Sequence, residues 1–281
     1  MKKKIILIIF LAILIAILFI IPKDTYNKIF GKHDDEVINV EDYEKIFVYM
    51  NNEDDKLVGV NAYVYSLEED LIRQKFDVLT MQTGIFDEKY ETTINTFTKL
   101  IDYTLNDKIL ELNFSSEFLN SESRNTLEQL VWTYCDDEIS EIKVFVENEP
   151  INNLNGFYFD KLDKNIGINL TLETSYLFES SATTIIEYKN DQIIPVTYFY
   201  TDCNECDYIV SKLLEDIYYN KEYDYEVKSN SIVIDVGIEY ELSEDLKKSI
   251  EETIKYNLNI NNIKIMGLES VLLEINENTG L

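Results

Sequence analysis

Apolar and polar positions along this chain form β-type and helix-type runs, and the order of the runs occurs twice. Ile46-Phe47-Val48-Tyr49-Met50, the polar turn from Asn51 to Lys56 and the run from Leu57 to Tyr65 predict a hairpin. Ser66 with Glu69 three residues on has the form of a capping box, which predicts a helix from Leu67 to about Leu79 with Leu71, Ile72, Phe76 and Leu79 on one face. Residues 81–107 read as a loop with a β-prone piece from Ile101 to Leu105, followed by a strand from Lys108 to Phe114. Ser121 is placed to cap a second helix whose face is Leu127, Leu130, Val131 and Tyr134, and Ile139 to Val146 is the closing strand.

The second statement of the pattern starts with Ile193-Ile194-Pro195-Val196-Thr197-Tyr198-Phe199-Tyr200, which follows Leu57 to Tyr65 at an offset of 136 (193 − 57). Asp202 and Glu205 repeat the capping logic, although the apolar face behind them (Ile209, Leu213, Leu214, Ile217) is about one residue out of phase. Ile232-Val233-Ile234-Asp235-Val236 with Ser243 echoes Leu110 to Phe114 with Ser121 at an offset of 122 (232 − 110). Leu246, Ile250, Ile254 and Leu258 then mark a helix face, and Ile260 to Met266 a strand. Each copy therefore reads β-β-α-β-β-α-β. The expected class is α+β: two tandem small domains, each a three- to four-stranded sheet with two helices on one face and a core of its own. The first spans residues 43–155, and residues 156–281 hold a connector and the second. Within the connector, Ile166-Gly167-Ile168-Asn169-Leu170 predicts a short added strand.

Ahead of the first copy, Lys2-Lys3-Lys4 precedes an uncharged run from Ile5 to Ile21. At ~1.5 Å per residue a helix over that run covers about 26 Å, the short end of a membrane span. A cleaved signal peptide is the competing reading, but Phe19-Ile20-Ile21-Pro22-Lys23 lacks the small residues of a cleavage site. Residues 1–23 are read as a retained signal anchor with a cytoplasmic N-terminus, and 24–42 as a tether that lifts the rest off the outer face of the membrane. The chain carries 25 basic and 53 acidic side chains, a net charge of −28, and is more negative still without the leading lysines. That field disfavours nucleic acid and anionic headgroups and suits a solvated surface or a basic partner. Hydrophobic residues make up 46% of the chain, enough for packed cores.

At this point the residues resemble a family. Ile142-Lys143-Val144-Phe145-Val146-Glu147-Asn148-Glu149-Pro150-Ile151 is similar to the strand and acidic-Gly-Glu-Pro-Val ending of the GerM sporulation and germination domain. Ile193 to Thr197 is similar to that family's Leu-Val-Pro-Val-Thr strand, and Leu112-Asn113-Phe114-Ser115-Ser116-Glu117-Phe118 to its Val-Asp-Phe-Ser-x-Glu-Phe segment. The similarity covers about residues 43–281 in a two-copy arrangement. It implies an exported envelope protein with domains similar in fold to the ring-building modules of secretion-type assemblies, and it brings no catalytic residues. The departures are Gly59 for the strand proline of copy one, Asn148 for the glycine of the ending, Ala62 and Tyr198 where an Arg is usual, and no lipid-bearing Cys.

The chemistry-bearing residues are few. His33 is the single histidine and lies in the tether, which removes His-dependent triads and His metal clusters from the domains. Cys203-Asn204-Glu205-Cys206 at a helix start reads as unremarkable thiols, a short disulfide or, least of all, a reactive pair. Cys135 reads as a packing residue. The acidic runs Glu53-Asp54-Asp55, Glu68-Glu69-Asp70 and Asp136-Asp137-Glu138 lack calcium-loop spacing. Trp132 falls off its helix face and has no aromatic counterpart in copy two, where the alignment puts Lys255. It is a candidate contact between copies or with another protein, against packing at the edge of its own core. No catalytic, cofactor or metal site is expected, and no small-molecule ligand is evident. The function expected is a membrane-anchored, extracytoplasmic scaffold that docks on other envelope proteins during assembly of a sporulation- or germination-related complex. The alternatives are a sensor that binds a small molecule or glycan through aromatics such as Tyr198 and Tyr200, and, further off, a peptidoglycan-acting enzyme.

Overall fold

A computed structural model describes residues 43–68, 70–174, 179–190, 192–215 and 223–276. Residues 1–42, and with them the anchor, the tether and His33, lie outside the described residues. Copy one opens with the hairpin β1 (Glu44–Asn51) and β2 (Leu57–Val64), followed by α1 (Leu71–Leu79). Strands β3 (Leu100–Asn106) and β4 (Ile109–Phe114) form a second hairpin, and α2 (Arg124–Tyr134) then crosses over to β5 (Glu141–Val146), which lies parallel to β4. A two-residue β6 (Glu149–Pro150) turns back on β5. The connector holds the short pair β7 (Asn153–Leu154) and β8 (Phe157–Tyr158) and the strand β9 (Thr171–Leu172).

Copy two repeats the plan. Its hairpin is β10 (Ser181–Lys189) and β11 (Gln192–Tyr200), its first helix α3 (Glu205–Leu213), and its second hairpin β12 (Asp224–Lys228) and β13 (Ser231–Asp235). Helix α4 (Glu244–Leu258) crosses to β14 (Asn262–Met266), parallel to β13, and β15 (Val271–Ile275) returns antiparallel beside it. The molecule is α+β.

The start signals of three helices were misplaced by sequence. Helix α1 starts at Leu71 because Asp70, not Ser66, caps it, accepting the Arg73 N–H at 3.0 Å. The Gln74 side chain takes up the Ser66 carbonyl and the Glu68 N–H, so that stretch stays a loop and Leu67 and Leu71 are exposed. Ser121 ties Asn95 instead of capping, and α2 begins three residues later. In copy two the cap of α3 is Asn204, which accepts from Asp207, while Asp202 sits at φ 70° outside the helix. Ser243 caps α4 as expected from its position. Each of these oxygens competes for the same orphan N–H groups, and the one nearest the first helical turn wins.

The larger departure concerns the sheets. β3-β4-β5-β6 and β12-β13-β14-β15 are four-stranded sheets, one per copy, but the leading hairpins do not join them. The two hairpins instead build one sheet in the order β1-β2-β11-β10, with β9 added on β11. Residues 44–281 gather into one compact unit. The core that fills copy one runs through Phe76, Phe114, Leu127 and Leu130 and takes in Ile168 of the connector and Ile194 and Val196 of copy two. A second core holds Ile185, Ile209, Val210, Ile250 and Ile254. Burial of each such side chain contributes about 2 kcal/mol, so Ile194 and Val196 tie copy two to the first core.

Both outer strands of the shared sheet are closed by helix side chains. On α2, Thr133 Oγ1 accepts the Tyr49 N–H at 3.0 Å and Gln129 Nε2 donates to the Tyr49 carbonyl at 2.8 Å. On α4, Ser249, Thr253 and Asn257 stand one turn apart and accept the N–H groups of Tyr188, Ile186 and Thr184.

Candidate functional site

The chemically dense region is the seam where the two copies meet. Between β2 and β11 the backbone ladder has one bridge, Ile193 opposite Gly59. The Phe47 ring lies across Gly59: a Cβ at that position would stand 2.5 Å from Phe47 Cζ, so a side chain there would displace the ring. Beyond the bridge the strands part, and Asn169 fills the gap. Its Oδ1 accepts the Leu57 N–H at 2.8 Å, while its Nδ2 donates to the carbonyls of Leu57 and Pro195 at 2.7 and 2.8 Å. Asn169 adopts φ 48°, a left-handed turn that asparagine tolerates well, and so residues 166–170 are not the strand their pattern predicts. The pairing with β11 begins two residues on, at Thr171 and Leu172.

Asn169 is itself anchored from copy one. Its N–H is taken by Glu128 Oε2 at 3.0 Å, and Glu128, 3% exposed, also pairs with Arg124, which donates to the Ile166 carbonyl. Burial pushes the Glu128 carboxyl above its ordinary range against the pull of Arg124. Trp132 closes the same corner. The ring is 4% exposed, donates Nε1–H to the Gly167 carbonyl at 3.1 Å, and has Tyr49 of copy one and Tyr256 of copy two each 5.7 Å away. Lys164 lies over both rings, at 5.1 Å from Trp132 and 5.9 Å from Tyr256, and burial lowers its ammonium. Trp132 thus spends its ring inside the chain, between the copies.

The other sequence candidates separate. Cys203 is exposed and Cys206 half-buried, and no disulfide joins them. Burial raises the Cys206 thiol, the opposite of what a reactive thiolate at a helix start needs. Cys135 is buried and its thiol pushed up to about 11. The aromatics of the ligand reading are packed: Tyr200 stacks on Tyr208 at 4.0 Å, and Lys212 lies 4.8 Å over Tyr198 while it pairs with Glu173. The acidic runs serve turns and caps, as where Asp136 accepts the N–H groups of Glu138 and Ile139. Among the described residues no group of three or more His, Cys, Asp or Glu side chains could hold a metal ion, and no helix is long and apolar enough to cross a membrane. Sequence reasoning missed Asn169, Gln129 and Lys164, which carry no periodic signal.

Two hairpin faces leave an open cleft beside the seam, about 490 Å³ in volume. Lys45, Phe47 and Tyr63 of copy one face Tyr188, Gln192 and Lys248 of copy two across it. Gln192 Nε2 crosses the seam to Glu88 at 2.6 Å and to the Tyr90 hydroxyl at 3.0 Å.

Comparison with known proteins places this geometry. The profile of the Germane family, described as sporulation and spore germination, matches residues 47–152. The tandem GerMN domains of the sporulation protein GerM from Bacillus subtilis have the same fold over 81% of this chain and 92% of that one, with a TM-score of 0.67 at 14% identity. A putative lipoprotein from Clostridium perfringens aligns over 44% of this chain and 87% of its own, at 18% identity and a TM-score of 0.30. No curated protein matches the sequence.

Proposed function

From the membership of this chain in the GerM family of sporulation and germination proteins, we propose that it is an extracytoplasmic scaffold, anchored by residues 1–23, that docks on other envelope proteins during assembly of a sporulation- or germination-related complex. The observation that carries this reading is the seam. A shared sheet, the Asn169 staple and the Trp132–Tyr256 contact hold the two copies as a single block. A block of this kind presents two related surfaces at a fixed spacing, which suits an element that sets the distance between partners. Burial raises the Cys206 thiol, and Tyr200 is stacked on its own neighbour Tyr208.

Cross-linking in intact cells, followed by capture of the tagged full chain, tests the proposal. Capture of exported or membrane proteins, lost when exposed residues of one copy are altered, supports it. A chain that cross-links to nothing, at any stage of growth or development, overturns it. The anchor has its own test: protease added outside spheroplasts should degrade residues 43–281 and leave a membrane-bound fragment.

A further inference from the structure

We propose that the cleft between the two hairpins binds a short acidic saccharide. The first observation is the state of its lysines. Acidic side chains outnumber basic ones 53 to 25, yet among the described residues neither Lys45 nor Lys248 has a carboxylate within ion-pair distance. Each ammonium instead lies over an aromatic ring in the cleft wall, Lys45 at 5.4 Å from the Tyr63 centroid and Lys248 at 5.7 Å from Tyr188. A ring face positions an ammonium without neutralising it, so both charges can meet an anion, with Glu244 acting on Lys248 through space.

The second observation is that the acids sharing the cleft are turned to neutral donors of its wall and pair with neither lysine. Asp87 accepts the Tyr63 hydroxyl at 2.9 Å, and Glu88 accepts Gln192 and the Tyr90 hydroxyl. The third is the lining. Asn61 and Asn190 supply amides that both donate and accept, Gln192 and Tyr63 supply acceptor oxygens, Tyr188 supplies a phenol, and the Phe47 ring is 37% exposed over Gly59. Amides match sugar hydroxyls, aromatic faces match the apolar faces of sugar rings, and lysines match carboxylates. The volume lies in the range of small-ligand sites. A second cleft of about 500 Å³ shares Glu88, Asn190 and Gln192 with the first and is lined further by Lys89, Lys189, Glu53 and Asp54, so the groove has room for more than one ring. An acidic peptide would use the lysines but leave the ring faces and amides unmatched.

The lining comes from both copies, so the site exists only because the hairpins share a sheet. The proposal does not depend on the scaffold role. Isothermal titration of the full chain with trigalacturonic acid, maltotriose and triglutamate tests it. Trigalacturonate should bind, with the neutral sugar and the peptide each weaker by about tenfold or more. The K45Q/K248Q variant should lose at least about tenfold in affinity with an unchanged circular dichroism spectrum, and K45R/K248R should retain binding. Absence of uronate binding, equal affinity for triglutamate, or binding unchanged in K45Q/K248Q would each overturn it.

Discussion

Asn169 holds Leu57 by both of its backbone groups, accepting the N–H at 2.8 Å and donating to the carbonyl at 2.7 Å. The amide thereby imitates a strand neighbour at the place where the ladder between the copies has run out, and its second N–H reaches the Pro195 carbonyl of the other copy. One side chain from the connector stands in for the register that two β-strands ordinarily supply along their whole length.

Replacing Asn169 with Ala removes three hydrogen bonds and puts alanine at a left-handed backbone position. The expected loss is about 3 kcal/mol, from unsatisfied strand groups and backbone strain together. Urea unfolding of N169A against the parent chain measures it, and a loss below about 0.5 kcal/mol would show that the staple is dispensable.

Trp132 is the single tryptophan and sits in the seam, so its fluorescence reports on both copies at once. Its unfolding curve should coincide with that followed by far-ultraviolet circular dichroism, because the first core includes Ile194 and Val196 of copy two. W132A should cost about 3–5 kcal/mol and separate the two curves. Separate transitions in the parent chain would mean that the copies unfold independently.

Glu128 gives a pH dependence with a definite sign. Burial raises its folded value above the unfolded one near 4.5, so the folded state favours the protonated form. Its contribution to stability is therefore present below the unfolded value and lost as pH rises through the folded one. E128Q carries no such titration. The stability of the parent relative to E128Q should fall as pH rises from the unfolded value through the raised folded one. A difference that grows in the parent's favour over that window would contradict the assignment.

Thiol chemistry should follow exposure. In native protein at mildly alkaline pH, iodoacetamide should modify Cys203 first and Cys206 slowly, since burial raises the Cys206 thiol. Cys135, pushed up to about 11, should react only on unfolding. Peptide mapping over time gives the order, and early modification of Cys135 would show that α2 opens in the native state.

The duplication was legible because apolar spacing is local: Ile250 and Ile254, like Leu127 and Leu130, are buried where their periodicity puts them. Structural equivalence is finer than the letters allow. Thr133 accepts from Tyr49 as Thr253 accepts from Ile186, so the second helices align at an offset of 120 (253 − 133), which sets Glu252, not Lys255, opposite Trp132. The seam was not legible. A lone asparagine in an apolar run looks like strand, and nothing in a sequence period tells which hairpin will pair with which. The cleft lysines were hidden too, since only the fold shows that Asp87 and Glu88 beside them bond to other groups.

The sealed outer strands carry a consequence for copy number. With Thr133 and Gln129 on one margin and Ser249, Thr253 and Asn257 on the other, the central sheet offers a newcomer no open backbone at these positions. Occupied backbone at the middle of each margin disfavours pairing with a third repeat or with another chain there. An added strand would have to displace the helix side chains at Tyr49 on one margin and at Thr184, Ile186 and Tyr188 on the other.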